Sequence, residues 1–293
     1  MLFDASFARE LEALRRRLRV RARSGGGGDH TAKRRGSSAE FLEHRPYAPG
    51  DDLRRIDWLA FARTGEPVFK LFRAEEDVVV RLVVDASASL EPEAGWNDEP
   101  SKLDVAKRLA AAIGYMALAD SERAQVLAAS EGLTFVSEPA RGRNALPKLL
   151  RDLDRVSVKS GTDLSRAIEQ ATLRSPRPGM LVVISDFMDS GPFDAAITRA
   201  ASAGHDVAMV QVLSREEVEP RWDGDYALVD CESNAVVEVT MDAGAIEAYL
   251  ARLNQLVLGM RALAKKVRGT YVRVVTDEPL LPAVRRFVGR VVD

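Results

Sequence analysis

The stretch Val78-Val-Val-Arg-Leu-Val-Val-Asp85-Ala-Ser87-Ala-Ser89-Leu90 decides how this chain is read. Six of the eight residues from Val78 to Asp85 are aliphatic, and most of those are β-branched. That composition predicts a strand buried on both faces of a parallel sheet. The sequence then switches at once to small oxygen-bearing side chains, which gathers three hard ligands at the carboxyl end of the strand. In open α/β sheets ligands bind at that end. One carboxylate and two hydroxyls at alternate positions suit an oxygen-only octahedral ion, Mg2+ or Mn2+.

Two further segments have the composition to complete such a site. Ser160-Gly-Thr162-Asp163-Leu164 opens an amphipathic pattern (Leu164, Ala167, Ile168, Ala171), so Thr162 is expected in a loop just before a helix. Met180-Leu-Val-Val-Ile-Ser185-Asp186-Phe187 is a second buried strand that presents Asp186 at its carboxyl end. The D-x-S-x-S pattern, followed in order by these two segments, resembles the metal-ion-dependent adhesion site of von Willebrand factor A domains. The resemblance implies hydroxyl ligands from Ser87, Ser89 and Thr162, with Asp85 and Asp186 contributing carboxylates partly through water. A plainer reading of each segment stands beside it, because Ser, Thr and Asp at strand ends also serve as turn and helix-cap residues.

The 293 residues suffice for one large α/β domain with a smaller appendage. Hydrophobic residues make up 46% and charged residues 29%, ordinary for a soluble globular protein. With a formal net charge of -2, nothing in the total points to nucleic acid. A single cysteine excludes an internal disulfide, and three histidines make a zinc cluster a poor reading. No apolar run approaches the ~20 residues needed to span a bilayer, and the first residues lack a signal-peptide core. A cytoplasmic location is the expectation.

The charge is unevenly spread. Residues 5 to 23 read as a helix with Phe7, Leu11, Leu14 and Leu18 on one face and Arg15, Arg16, Arg17, Arg19, Arg21 and Arg23 elsewhere. Two readings are open: peripheral contact with anionic lipid, or packing on the domain with a solvated basic face. Gly25 to Gly28 is a flexible break, so residues 1–28 read as helix and linker. Residues 29–77 read as a small β-rich platform. From residue 78 to 293, strands and helices alternate, predicting a doubly wound, mostly parallel sheet flanked by helices. Helices are expected near 102–119, 145–155, 163–173, 193–203, 243–267 and 279–289. A short hairpin is expected over Arg123–Val136, and a polar one over Ala227–Thr240 turning at Ser233-Asn234.

Residues 36 to 77 carry a second signature. Gly36-Ser-Ser-Ala-Glu40-Phe41 is succeeded by Arg45-Pro-Tyr47-Ala-Pro49-Gly50-Asp51-Asp52-Leu53-Arg54-Arg55-Ile56-Asp57-Trp58 and by Ala62-Arg63-Thr64-Gly65. Pro49-Gly50 is a turn signal, and Asp51 and Asp52 are able to cap the residues after them. The mix of arginines and carboxylates predicts a local ion-pair network, with Tyr47, Trp58 and Phe61 as apolar cover. Together with the D-x-S-x-S strand, this combination resembles the DUF58 family, whose members carry a von Willebrand factor A-like domain. The similarity runs from about Arg34 to the C-terminus and includes Thr276-Asp277-Glu278-Pro279-Leu280. Many longer members have N-terminal membrane helices, absent from this chain.

The resemblance implies a metal-dependent protein-interaction module rather than an enzyme. A Mg2+ held mainly by hydroxyls keeps a coordination position open for an acidic residue of a partner. It also implies the partner, a MoxR-type AAA+ ATPase with its client proteins, toward which such proteins are thought to act as adaptors or co-chaperones. The chain has no G-x-x-x-x-G-K-[ST] loop, so ATP hydrolysis belongs to the partner. The alternative is a Mg2+-dependent hydrolase of phosphate esters using the same residues. Against it, no carboxylate lies two residues after Asp85, and Ser87 has no G-x-S-x-G elbow. The PGDDLRRIDW segment reads either as a rigid platform or as a direct partner surface. The acidic loop after Leu90 reads as solvated or as a selector of partners.

Overall fold

The computed structural model describes residues 5–17, 35–36, 38–39, 41–48, 56–72, 78–91, 100–159, 161–175, 177–188, 191–229 and 235–291. The Gly25–Gly28 run, Arg19, Arg21 and Arg23, the stretch from Pro49 to Arg55, the acidic residues Glu93, Asp98 and Glu99, and the Ser233-Asn234 turn lie outside them. The chain divides into two units, one of residues 26–77 and one formed by residues 1–25 together with 78–293.

The larger unit begins with helix α1 (Ala5–Arg17). In the smaller unit, strands β1 (Arg35–Gly36) and β2 (Ser38–Ala39) pair with each other, and β3 (Phe41–Pro46) pairs antiparallel with β4 (Val68–Phe72). Between β3 and β4 lies a short helix, α2 (Trp58–Thr64), that no apolar period in the sequence predicts. Its cause is local: the Asp57 carboxylate accepts hydrogen bonds from the Leu59 and Ala60 amides, and Gly65 closes the helix at φ 73°. Asp57 is the cap of α2, and Trp58, expected as apolar cover, is 60% exposed.

The larger unit continues with β5 (Val79–Asp85), α3 (Lys102–Ala119), β6 (Arg123–Ser130), β7 (Gly132–Val136), β8 (Ala140–Arg141), α4 (Leu146–Asp154) and α5 (Leu164–Leu173). It ends with β9 (Met180–Ser185), α6 (Phe193–Ser202), β10 (Asp206–Leu213), α7 (Arg215–Val218), β11 (Gly224–Val229), β12 (Val236–Met241), α8 (Ala243–Lys266), β13 (Thr270–Val275) and α9 (Leu280–Val291). The main sheet has the order β13-β10-β9-β5-β6-β7, with β8 also on β6. β13, β10, β9, β5 and β6 are parallel neighbours, while β7 and β8 run antiparallel to β6. This is the expected doubly wound α/β fold, the valine-rich strands forming its centre.

Two apolar layers cover the sheet. One packs α3, α4, α9 and α1 against Val80, Leu82 and Val84 of β5. The other packs α5, α6 and α8 against Val83, Leu181, Val183 and Met209. Burial on both faces is why these strands read as continuous apolar runs rather than alternating ones. α1 joins the first layer through Phe7 and Leu11, with the Arg108 guanidinium of α3 5.2 Å from the Phe7 ring centre and bonded to Glu10 at 3.2 Å. Among the described residues no helix is long and apolar enough to cross a membrane.

The strand order reverses between β5 and β9: the chain moves outward from β5 to β6 and β7, then returns to β9 on the other side. At such a switch point the loops leaving the two strands diverge and open a crevice at their carboxyl ends. Asp85 and Asp186 stand on its two sides.

Candidate functional site

The adjoining carboxyl ends of β5 and β9 carry buried groups whose own backbone geometry orients them. Asp85 ends β5 and is 1% exposed. Its Oδ1 accepts from the Ser87 amide at 2.9 Å, and its Oδ2 accepts from the Ser185 hydroxyl at 2.6 Å. Ser185 in turn accepts from the Phe187 amide at 2.9 Å. A carboxylate bound at both oxygens has little freedom to turn, and Asp85 is fixed before any ligand arrives. Burial, then the nearby Asp186 charge, pushes its pKa up from 3.8 to about 6, while the hydrogen bonds from Ser185 and Ser87 pull the other way.

Ser87 is fully buried, and its Oγ lies 3.0 Å from the Oγ of Ser89. Ser89 sits in a 3-10 turn, Ala88–Leu90, that follows Ser87 directly. Thr162 lies in the loop before α5. That loop is held at the end of β5 because the Lys159 amide donates to the Ala86 carbonyl at 2.8 Å and the Asp163 amide to the Ser130 carbonyl at 2.8 Å. Gly161 turns it with φ 83°, at a point where a Cβ would run into the Glu131 side chain. The cap of α5 is Asp163, which accepts from the Arg166 amide at 2.8 Å, so the plainer reading of this segment belongs to Asp163.

Asp186 comes directly after β9 and is 2% exposed. Its Oδ1 accepts from the Met188 amide at 3.0 Å, and its carbonyl accepts from Gln211 at 2.8 Å. Gln211 is itself fixed by the Tyr271 hydroxyl at 2.6 Å. Phe187, next in the chain, adopts φ 57°, a conformation rare for a bulky residue, and its buried ring packs 5.5 Å from that of Phe193. Asp186 Oδ2 carries an ion pair that no sequence pattern signals. Lys102 Nζ lies 2.9 Å from it and 2.6 Å from Glu217 Oε1, with 10% of the lysine side chain exposed. Glu217 is held by a capping box with Ser214, and its carbonyl accepts from the Tyr249 hydroxyl at 3.0 Å. Burial opposes the charge on Lys102, but the two carboxylates outweigh it and its pKa rises.

The structure thus brings Asp85, Ser87, Ser89 and Asp186 to the adjoining carboxyl ends of β5 and β9, with the Thr162 loop tied beside them. Ser185, Lys102 and Glu217 join them. Ser185 was legible as part of a strand, but its role depends on β9 lying beside β5. Lys102 and Glu217 are 115 positions apart in sequence and no local pattern links them.

The donor set fits a small hard ion. The Ser87 and Ser89 hydroxyls share a hydrogen bond at 3.0 Å, a distance that also matches the about 2.9 Å between cis oxygens on a Mg2+ octahedron. Among the described residues no three His, Cys, Asp or Glu side chains gather as a metal-binding group. The site combines two serine hydroxyls with the Asp85 and Asp186 carboxylates, the latter already paired with Lys102.

Comparison with known proteins finds relatives over most of the chain. Proteins of Mycobacterium tuberculosis and Mycobacterium bovis, both called uncharacterized, are each 34% identical over 274 residues, covering 89% of this chain and 82% of theirs. Among solved structures, the conserved hypothetical protein BatB of Bacteroides thetaiotaomicron aligns with a TM-score of 0.46 at 21% identity, over 74% of this chain and 100% of that one. A von Willebrand factor type A protein of Catenulispora acidiphila aligns with a TM-score of 0.36 at 16% identity, over 48% and 34% respectively. The family described as "Protein of unknown function DUF58" matches residues 43–255, more than half of the sequence. The chain belongs to the DUF58 family.

Proposed function

We propose that this protein is a metal-dependent protein-interaction module whose docking face is the crevice between β5 and β9. The observation that carries this reading is the pair of serine hydroxyls at octahedral-edge spacing beside a clamped Asp85. Ser87, Ser89 and Thr162 would hold Mg2+ or Mn2+ directly, with Asp85 and Asp186 acting through water. When bound, the ion supplies an open coordination position that accepts a carboxylate from a partner.

The chain's own groups do the rest. Ser185 and the Ser87 amide hold Asp85 at both oxygens, so that carboxylate needs little further ordering when the site loads. Phe187, directly after Asp186, packs its ring against Phe193. The partner favoured by family membership is a MoxR-type AAA+ ATPase, with this protein as adaptor or co-chaperone between it and its clients. The basic α1 is a candidate for peripheral lipid contact, although Phe7 and Leu11 are already used against α3.

The deciding experiment is co-purification of the intact chain with candidate ATPases in Mg2+ and in EDTA, alongside Asp85→Ala/Ser87→Ala. Retention that depends on both the ion and the two side chains is expected. Retention unaffected by EDTA and by the double substitution would move the docking face elsewhere. Hydrolysis of phosphate esters abolished by Asp85→Ala would replace the adaptor reading with the hydrolase one.

A further inference from the structure

Lys102 stands in an unfavourable place for a cation. It is the first residue of α3, where the exposed amides of the helix end repel positive charge, and it is nearly buried. What holds it there is two carboxylates converging from distant parts of the chain. Asp186 comes from the end of β9 and Glu217 from α7, after β10. Glu217 has no freedom to follow the lysine, because its Oε2 accepts from the Ser214 amide at 2.7 Å while its own amide donates to the Ser214 hydroxyl at 3.1 Å. The Asp186 carboxylate is anchored by the Met188 amide, and its backbone carbonyl by Gln211. The ammonium is the mobile member, on a four-carbon stem between two fixed anions.

We propose that Lys102 is a tethered counter-cation of the site, competing with the divalent ion for Asp186 and thereby setting its affinity. The inference rests on the ion-site reading above and deepens it. In the ion-free protein the ammonium supplies the positive charge that Asp186 needs when buried. A divalent ion entering beside Ser87 and Ser89 takes over that task, and Lys102 is left to Glu217 alone. Glu217 is the second seat that lets the lysine yield Asp186 without becoming an unpaired buried charge. Loading at the crevice is thereby tied to α7, and through the Glu217 carbonyl to Tyr249 on α8.

Two substitutions that replace no proposed ion ligand should move Mg2+ affinity in opposite directions. Lys102→Met removes the competitor and should tighten Mg2+ binding about tenfold by calorimetric titration. It should also lower the melting temperature in EDTA and enlarge the rise that saturating Mg2+ produces. Glu217→Gln removes the second seat, commits the ammonium to Asp186, and should weaken Mg2+ binding by a similar factor.

A merely structural role would weaken binding in both variants, and that result overturns the proposal. Unchanged or weaker binding by Lys102→Met with native far-UV circular dichroism does the same. If Lys102→Met does not fold, the direction of the Glu217→Gln shift decides, an unchanged or tighter affinity overturning the proposal. Binding by Lys102→Met alone, with none by the native chain, supports it. Mg2+ binding by neither protein sinks the ion site and this inference together, whereas native binding with the wrong variant pattern sinks only the inference.

Discussion

Strand β5 buries a charge near each end, and the two ends treat it in opposite ways. Arg81 and Asp85 are four residues apart and so face the same side of the sheet, with exposures of 5% and 1%. At the carboxyl end Asp85 receives hydrogen bonds at both oxygens, and the neighbouring loops are tied down around it. At the amino end Arg81 has one long contact, Nη2 to the Arg177 carbonyl at 3.3 Å, and its Nη1 has no hydrogen-bond partner. That guanidinium lies against Gly179, where a Cβ would come within 2.9 Å of Nη1 and 2.6 Å of the Val79 carbonyl. Burial lowers the pKa of Arg81, and the His205 pKa falls through its own burial and then through the Arg81 charge. One end is a preorganised set of donors and acceptors. The other is a packed seam in which a charge is tolerated. Burial of a charged group is thus poor evidence of function by itself; the number and direction of its hydrogen bonds carry the distinction.

The contrast is easiest to break at the seam. Gly179→Val forces a side chain onto the backbone of β5, and overpacking of this kind should cost about 3 kcal/mol in urea unfolding. In the variant that still folds, Mg2+ binding at the far end of the strand should persist. Loss of both together would mean that the two ends are not independent.

A subtler difference is expected for Asp85→Asn. The folded-state pKa of Asp85 is raised from 3.8 to about 6, so the folded protein holds that proton more tightly than the unfolded chain does. The stability this contributes is complete below about pH 4 and is lost as pH rises through about 6, a swing of about 3 kcal/mol. In EDTA, native stability measured against Asp85→Asn should therefore decline across that window. Parallel stability curves for the two proteins would show that the carboxylate is not strained by burial. Added Mg2+ should oppose the decline in the native protein and do nothing for the variant.

The smallest change is expected from Arg81→Met. Replacing a poorly satisfied buried cation by an apolar chain of similar length should alter stability by about 1 kcal/mol or less, in either direction. The His205 pKa, tracked by NMR, should move up toward its ordinary value because one of its two depressing causes is gone. A loss of several kcal/mol would place Arg81 in an ion pair essential to the fold.

Much of the architecture was legible because its determinants are local. Valine-rich runs bounded by polar residues marked β5, β9 and β10, and periodic apolar spacing marked α3, α5 and α8 close to their observed limits. Residues 56–72 were harder. A seven-residue helix has too few turns for an apolar period, and its signal was a single cap, Asp57, hidden behind the charged run Asp51, Asp52, Arg54 and Arg55. The candidate ligands were legible because D-x-S-x-S places them within one strand end and its turn. Their surroundings were not.

The sequence alone determined the alternation of strands and helices, the two strand ends that carry Asp85 and Asp186, and the hydroxyl-rich chemistry offered there. Periodicity and composition act over a few residues, and that is their reach. Only the tertiary structure set β9 beside β5, gave Ser185 to Asp85, and closed Lys102 between Asp186 and Glu217. Those pairings join residues 84 to 115 positions apart. They arise because a doubly wound sheet reverses direction at β5, which makes neighbours of strand ends that the chain itself keeps far apart.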